Sequence, residues 1–114
     1  MIVSLQIETL EGIENSDEII ATENADAIFL GPGDLSVNFG IPGQTMSDKV
    51  VDSIQDMHER INAADKYTGT LGVTVDQTLF WHERGIKWIV SSASKFMQAG
   101  AADYLAGVKG PLGL

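Results

Sequence analysis

The chain alternates between two kinds of segment. Four short runs rich in apolar or β-type residues, Ile2-Val3-Ser4-Leu5, Ala27-Ile28-Phe29-Leu30, Tyr67 to Val73 and Ile86 to Ser91, are each followed by a segment with helical spacing or capping residues. A run of this kind reads as a strand covered on both faces. Strict strand-helix alternation implies parallel strands joined by right-handed crossovers. An eight-unit barrel takes about 250 residues, so four units in 114 residues match half of one. The expected fold is α/β: a parallel (βα)4 half of a TIM-type barrel over residues 1–109, with 110–114 as a tail. Met1 leads straight into the first run with no turn or cap, although a buried strand needs neighbours on both sides. Half a barrel also leaves two edge strands and one interior face open. Completion by self-association or by a missing N-terminal half is therefore expected.

Helical segments follow from spacing and caps. Leu10, Ile13 and Ile19-Ile20-Ala21 recur at helical intervals, and Asn15, Ser16 and Asp17 offer a cap for a helix over 16–23. Ser36 to Gln44 holds two glycines and Pro42 and reads as a loop over the sheet edge. The longest helix is predicted over 47–64, with Val50, Val51, Ile54, Met57, Ile61 and Ala64 inward. A shorter one, over 75–84, starts near Asp76 and is closed by Gly85 at the C′ position. The last runs over 94–108, with Ser94 as a possible cap. His58 is expected on the solvated outer face of the long helix and His82 at the surface. Trp81 and Trp88 are expected to pack between helix and sheet.

Charge and composition exclude several classes. Seven basic against 16 acidic side chains give a net charge of −9, which disfavours a nucleic-acid surface or an anionic membrane and suits a divalent cation. The absence of cysteine removes disulfides, thiolate metal sites and a cysteine nucleophile. No apolar run approaches the roughly 18–20 residues of a membrane span, and no basic region precedes an apolar stretch at the N-terminus. A cytoplasmic location is the expectation. Neither histidine belongs to a His-Glu-x-x-His pair, Gly31-Pro32-Gly33 lacks the Lys-Ser/Thr of a P-loop, and no serine lies in a nucleophile elbow.

Two acidic residues stand where apolar runs stop: Glu8, in Gln6-Ile7-Glu8-Thr9, and Asp34, in Gly31-Pro32-Gly33-Asp34-Leu35-Ser36. They are 26 residues apart, close to one strand-helix repeat. Successive parallel strands would bring both carboxylates to the C-terminal edge of the sheet, where α/β folds place their ligands.

Those two segments, followed by Phe39-Gly40-Ile41-Pro42-Gly43, resemble the HpcH/HpaI aldolase family of metal-dependent pyruvate aldolases, aligned with the C-terminal half of its barrel. The resemblance implies that Glu8 and Asp34 are carboxylate ligands of Mg²⁺, Mn²⁺ or Co²⁺. It implies that Gln6 contacts the pyruvate end of a 2-oxo acid and that the Gly31-Pro32-Gly33-Asp34 turn binds it, with Gly33 and Asp34 N–H groups on its carboxylate. The catalytic arginine and histidine base of the family belong to the N-terminal half of the barrel, so no catalytic acid-base residue is expected in this chain. The fourth strand ends Ser91-Ser92-Ala93, where many relatives carry glycine-serine-aspartate. The resemblance further implies a helix exchanged between subunits, here 94–108. The leading expectation is a carbon-carbon lyase. The alternatives are a non-catalytic half-barrel that binds metal and 2-oxo acid or only assembles, and a phosphate-binding domain, which would need an anion site at the third and fourth strand ends.

Overall fold

In the computed structural model, which describes residues 1–113, four parallel strands lie side by side in chain order: β1 (Ser4–Ile7), β2 (Ala27–Leu30), β3 (Tyr67–Leu71) and β4 (Trp88–Val90). The helices between and after them are α1 (Leu10–Glu14), α2 (Ser16–Ile20), α3 (Pro32–Asn38), α4 (Asp48–Ala63), α5 (Val75–Glu83) and α6 (Ala93–Leu112). This is the expected α/β arrangement, a parallel (βα)4 sheet forming part of a barrel.

Register sorts the side chains into two faces, because successive residues of a strand point to opposite sides. Ile7, Leu30, Thr70 and Ile89 form one row across the sheet, and Leu5, Ile28 and Thr68 another. These rows face the helices. Ile7, Ile28 and Leu30 are buried there against Val50, Ile54, Met57 and Ile61 of α4 and Trp81 of α5. Each such aliphatic side chain contributes about 1.5–3 kcal/mol by leaving water. Thr70 is tolerated in this layer because its hydroxyl donates to the Leu30 carbonyl at 3.1 Å. The α4 stripe matches the expected inward face at those four positions, whereas Val51 is half-buried and Ala64 exposed.

The opposite face is open. Gln6, Phe29, Gly69 and Trp88 share one row, and Ser4, Ala27 and Tyr67 the row before it. Trp88 lies on Gly69, where a Cβ would come within 2.4 Å of the indole, and meets Phe29 edge-on at 5.7 Å. It therefore sits on the face that would line a barrel interior, not between helix and sheet as expected; Trp81 occupies the latter environment. Tyr67 is 73% exposed on this open face.

Several boundaries differ from the expectation for physical reasons. The first helical region splits at Asn15: Thr9 caps α1 by accepting from the Gly12 N–H at 3.0 Å, and the Asn15 amide donates to the Glu11 carbonyl instead of capping α2. The expected loop at 36–44 begins as helix. Pro32 opens α3 where a missing N–H costs nothing, and α3 closes with Gly40 N–H on the Val37 carbonyl and Ile41 N–H on the Ser36 carbonyl. Gly85 ends α5 in the same way, at φ 93°, and α5 starts at Val75, beside the expected Asp76, with Thr74 as its cap. Ser92, not Ser94, caps α6. The expected tail continues α6 through Leu112, with Gly113 left-handed after it and residue 114 outside the described residues.

His58 is half-buried rather than solvated, with Nδ1 2.9 Å from the Thr68 hydroxyl. Burial holds its pKa below the ordinary histidine value. The unfolded chain therefore takes up a proton near pH 6.5 before the folded chain does. The resulting stability is complete above pH 6.5 and lost as pH falls through the folded pKa. The midpoint of urea unfolding is expected to fall between pH 7.5 and 5.5 in the native chain, and to fall less in His58→Gln.

Candidate active site

Glu8 is the residue immediately after β1, and Gly31 the residue immediately after β2. The terminal pair Ile7–Leu30 and a hydrogen bond from the Gly31 N–H to the Ile7 carbonyl at 3.1 Å hold the two strand ends level. Gln6 and Glu8 project to the same face because they are two residues apart, and the Gln6 Nε2 donates to Glu8 Oε2. That pair lies directly over Gly31. A Cβ at position 31 would come within 3.0 Å of Glu8 Cβ, 3.2 Å of its Oε2 and 3.4 Å of Gln6 Nε2. A side chain at 31 would therefore push the carboxylate that crosses it out of place by a few tenths of an ångström.

Asp34 follows in the first turn of α3, at the same C-terminal edge of the sheet. The Gly33 and Asp34 N–H groups have no acceptor among the described residues, as helix-initial donors commonly do not. Ser36 braces the turn from beneath: its hydroxyl donates to the Gly33 carbonyl at 2.6 Å and accepts from the Gly43 N–H at 3.0 Å. Asn38, at the end of α3, donates through Nδ2 to the Asp34 carbonyl at 3.0 Å and the Glu8 carbonyl at 3.3 Å. The structure thereby brings Gln6, Glu8 and Gly31 into contact and joins the backbones of Glu8 and Asp34 through one side chain. Sequence reasoning missed Asn38; its spacing of four from Asp34 was the only signal.

Glu8 and Asp34 have no cationic partner among the described residues, where both salt bridges belong to Arg60. Nor do three or more histidine or acidic side chains gather there to enclose a metal. The two carboxylates at this sheet edge, neither paired with a cation, are donors of the hard-oxygen kind that divalent cations such as Mg²⁺ and Mn²⁺ take. The space at the ends of β3 and β4 is different. A cavity of about 390 Å³ there is lined by residues that include Val73, Val75, Leu79 and Phe96 and no basic side chain, a poor setting for an anion.

A parallel sheet with helices on one face and carboxylates beyond its strand ends defines a partial barrel of the TIM type. The chain belongs to the HpcH/HpaI aldolase/citrate lyase family, whose description matches residues 1–106. It is 34% identical to a hydroxypyruvate/pyruvate aldolase of Pseudomonas aeruginosa over 95% of this chain and 35% of that protein. It is 31% identical to a 2-keto-3-deoxy-L-rhamnonate aldolase of Escherichia coli over 94% of this chain and 42% of that protein. Among solved structures, citrate synthase SbnG superposes with a TM-score of 0.87 at 28% identity, over 99% of this chain and 46% of that one. The HpcH/HpaI aldolase of Desulfitobacterium hafniense superposes with a TM-score of 0.85 at 27% identity, over 95% of this chain and 42% of that one. The chain thus spans less than half the length of these relatives.

Proposed function

We propose that this chain carries the metal- and pyruvate-binding half of a class II aldolase acting on 2-oxo acids. The observation that carries the reading is the Glu8 carboxylate, held by Gln6 over Gly31 beside the Asp34 turn, in a chain of this family. Glu8 and Asp34 would hold Mg²⁺, Mn²⁺ or Co²⁺, and the cation would supply positive charge against the oxygen that becomes negative when the carbon-carbon bond of a 2-oxo acid breaks. Gln6 fixes the rotamer of Glu8 and presents its amide toward the substrate's pyruvate end. The unpaired Gly33 and Asp34 N–H groups, at the positive end of α3, donate to the substrate carboxylate. The histidine base and the catalytic arginine that the resemblance implies would come from the half of the barrel that this chain does not carry.

A pyruvate-release assay on 4-hydroxy-2-oxo acids with Mn²⁺ tests the reading, supplemented by calorimetric titration of Mn²⁺ and pyruvate. Turnover abolished by Glu8→Ala, or pyruvate binding that requires both Mn²⁺ and Glu8, supports it. Absence of Mn²⁺ and pyruvate binding overturns it.

The second reading, a half-barrel that binds without turnover or serves in assembly, draws on the open sheet face and on α6. No residue of α6 is buried. Its 20 residues span about 30 Å. Phe96, Met97, Tyr104 and Leu105 face solvent along it. Exchange of α6 with a neighbouring copy would cover that surface. Truncation after Ser92 is therefore expected to cost the monomer little stability, because no residue of α6 is buried in its own body. The same truncation is expected to shift sedimentation toward smaller species. A large loss of stability in a monodisperse monomer would contradict the exchange.

A further inference from the structure

We infer that Asn38 is a positioning residue that fixes the separation of the two carboxylate-bearing backbones, resting on the proposed role of Glu8 and Asp34 as metal ligands. The Asn38 side-chain amide has two hydrogens, and the structure gives each an acceptor: the Asp34 carbonyl at 3.0 Å and the Glu8 carbonyl at 3.3 Å. The first bond reaches back one helical turn and is a common local device. The second crosses 30 residues of sequence and joins the β1 exit to α3.

Among the described residues no other hydrogen bond ties Glu8 itself to α3. Gln6 orients the Glu8 side chain, but both residues belong to the same strand exit. The strand-end bond from Gly31 stops at Ile7, one residue short of Glu8. Among the described residues the Glu8 carbonyl has no donor but Asn38. Asp34 is itself exposed and its carboxylate has no hydrogen-bond partner there. Two ligands on separate elements bind one ion well only when their spacing is set beforehand, and groups that orient ligands typically carry 10–100-fold in metal affinity. Asn38 is exposed, so its bonds contribute little burial to the fold. Their effect falls on the geometry of the site.

The test is Mn²⁺ titration of the intact chain, read by calorimetry and by the electron paramagnetic resonance spectrum of the bound ion, on Asn38→Leu and Asn38→Ser. Leucine removes both bonds. Serine can still reach back to the Asp34 carbonyl but is too short for Glu8. Both variants are expected to bind Mn²⁺ about tenfold more weakly with a broadened spectrum, while their circular dichroism and melting curves overlay those of the unsubstituted chain. Affinity within twofold of the unsubstituted chain for Asn38→Leu overturns the inference. So does unsubstituted-like affinity for Asn38→Ser, since the local helical bond alone would then suffice. A loss of affinity that only tracks a loss of helicity in both variants also overturns it. If the unsubstituted chain fails to bind Mn²⁺, the carboxylate site itself is wrong and this role falls with it.

Discussion

Exchanging Glu8 for glutamine is expected to weaken Mn²⁺ binding by about 100-fold or more while leaving the melting temperature within a few degrees. Two unit charges 4 Å apart near a protein surface interact by about 4 kcal/mol, equivalent to roughly a thousandfold in affinity, and a replacement water recovers part of that. Glutamine keeps the length of the side chain, still fits above Gly31, and its carbonyl oxygen can still accept from the Gln6 amide. The change removes charge and little else. Glu8 has no ion pair to lose, since both salt bridges in the described residues lie at Arg60, on the helix layer. Calorimetric titration with MnCl2 beside a thermal melt reads both quantities. Undiminished affinity in Glu8→Gln would sink the metal site, because Asp34 alone makes a weak surface contact. Asp34→Asn should lose affinity comparably but also relax α3, whose N-terminus its charge favours.

The parts of the fold legible in the sequence were those where one rule acts alone. The α4 stripe is periodic over four turns, and Val50, Ile54, Met57 and Ile61 are buried at the expected positions. Gly85 at φ 93° marks the end of α5 because a side chain there would be strained. Where two signals compete, local reading went astray. Gly40, Pro42 and Gly43 weigh toward a loop over 36–44, yet Pro32 at the first helical position and the Gly40 closure make seven residues of helix that reach into it. Gly110 and Pro111 argue for a stop, but α6 continues to Leu112, and no tertiary contact in the described residues explains why.

Contacts between elements were the least legible. His58 was placed by its position on the helix, but its environment is set by Thr68, which the sheet brings beneath it. The sequence predicts packing between helix and sheet for Trp88, because the parity of a three-residue strand is not fixed by its own sequence; Gly69 opposite it fixes the face. The candidate site divides the same way. Glu8 and Asp34 stand out because each follows an apolar run, whereas Gln6 is singled out only by the family resemblance. Asn38 acquires meaning only once β1 and β2 are neighbours, since its distant partner is a backbone carbonyl, which leaves no trace in residue type.

Replacing Trp81 by alanine is expected to cost about 3–5 kcal/mol. Trp81 is fully buried, joins the cluster that fastens α5 to the sheet, and meets Phe80 edge-on at 5.0 Å. Domains of this size are typically stable by only about 5–15 kcal/mol, and this one leaves a whole sheet face uncovered. Alanine should therefore lower the thermal midpoint by about 15 °C or more, or abolish a cooperative transition altogether. Phenylalanine separates volume from polarity at the same position. The indole Nε1 is buried with no hydrogen-bond partner among the described residues, and an unpaired buried donor costs about 1–3 kcal/mol. Trp81→Phe gives up part of the ring's burial but also removes that N–H, so the two changes offset and the net loss should stay near 1 kcal/mol. Circular-dichroism melts of the three proteins distinguish the cases, and equal losses for alanine and phenylalanine would contradict a packing role, because a phenyl ring refills most of the space that alanine empties. Because Trp81 anchors α5 while Glu8 and Asp34 lie beyond β1 and β2, the folded Trp81→Phe chain should bind Mn²⁺ as the unsubstituted chain does.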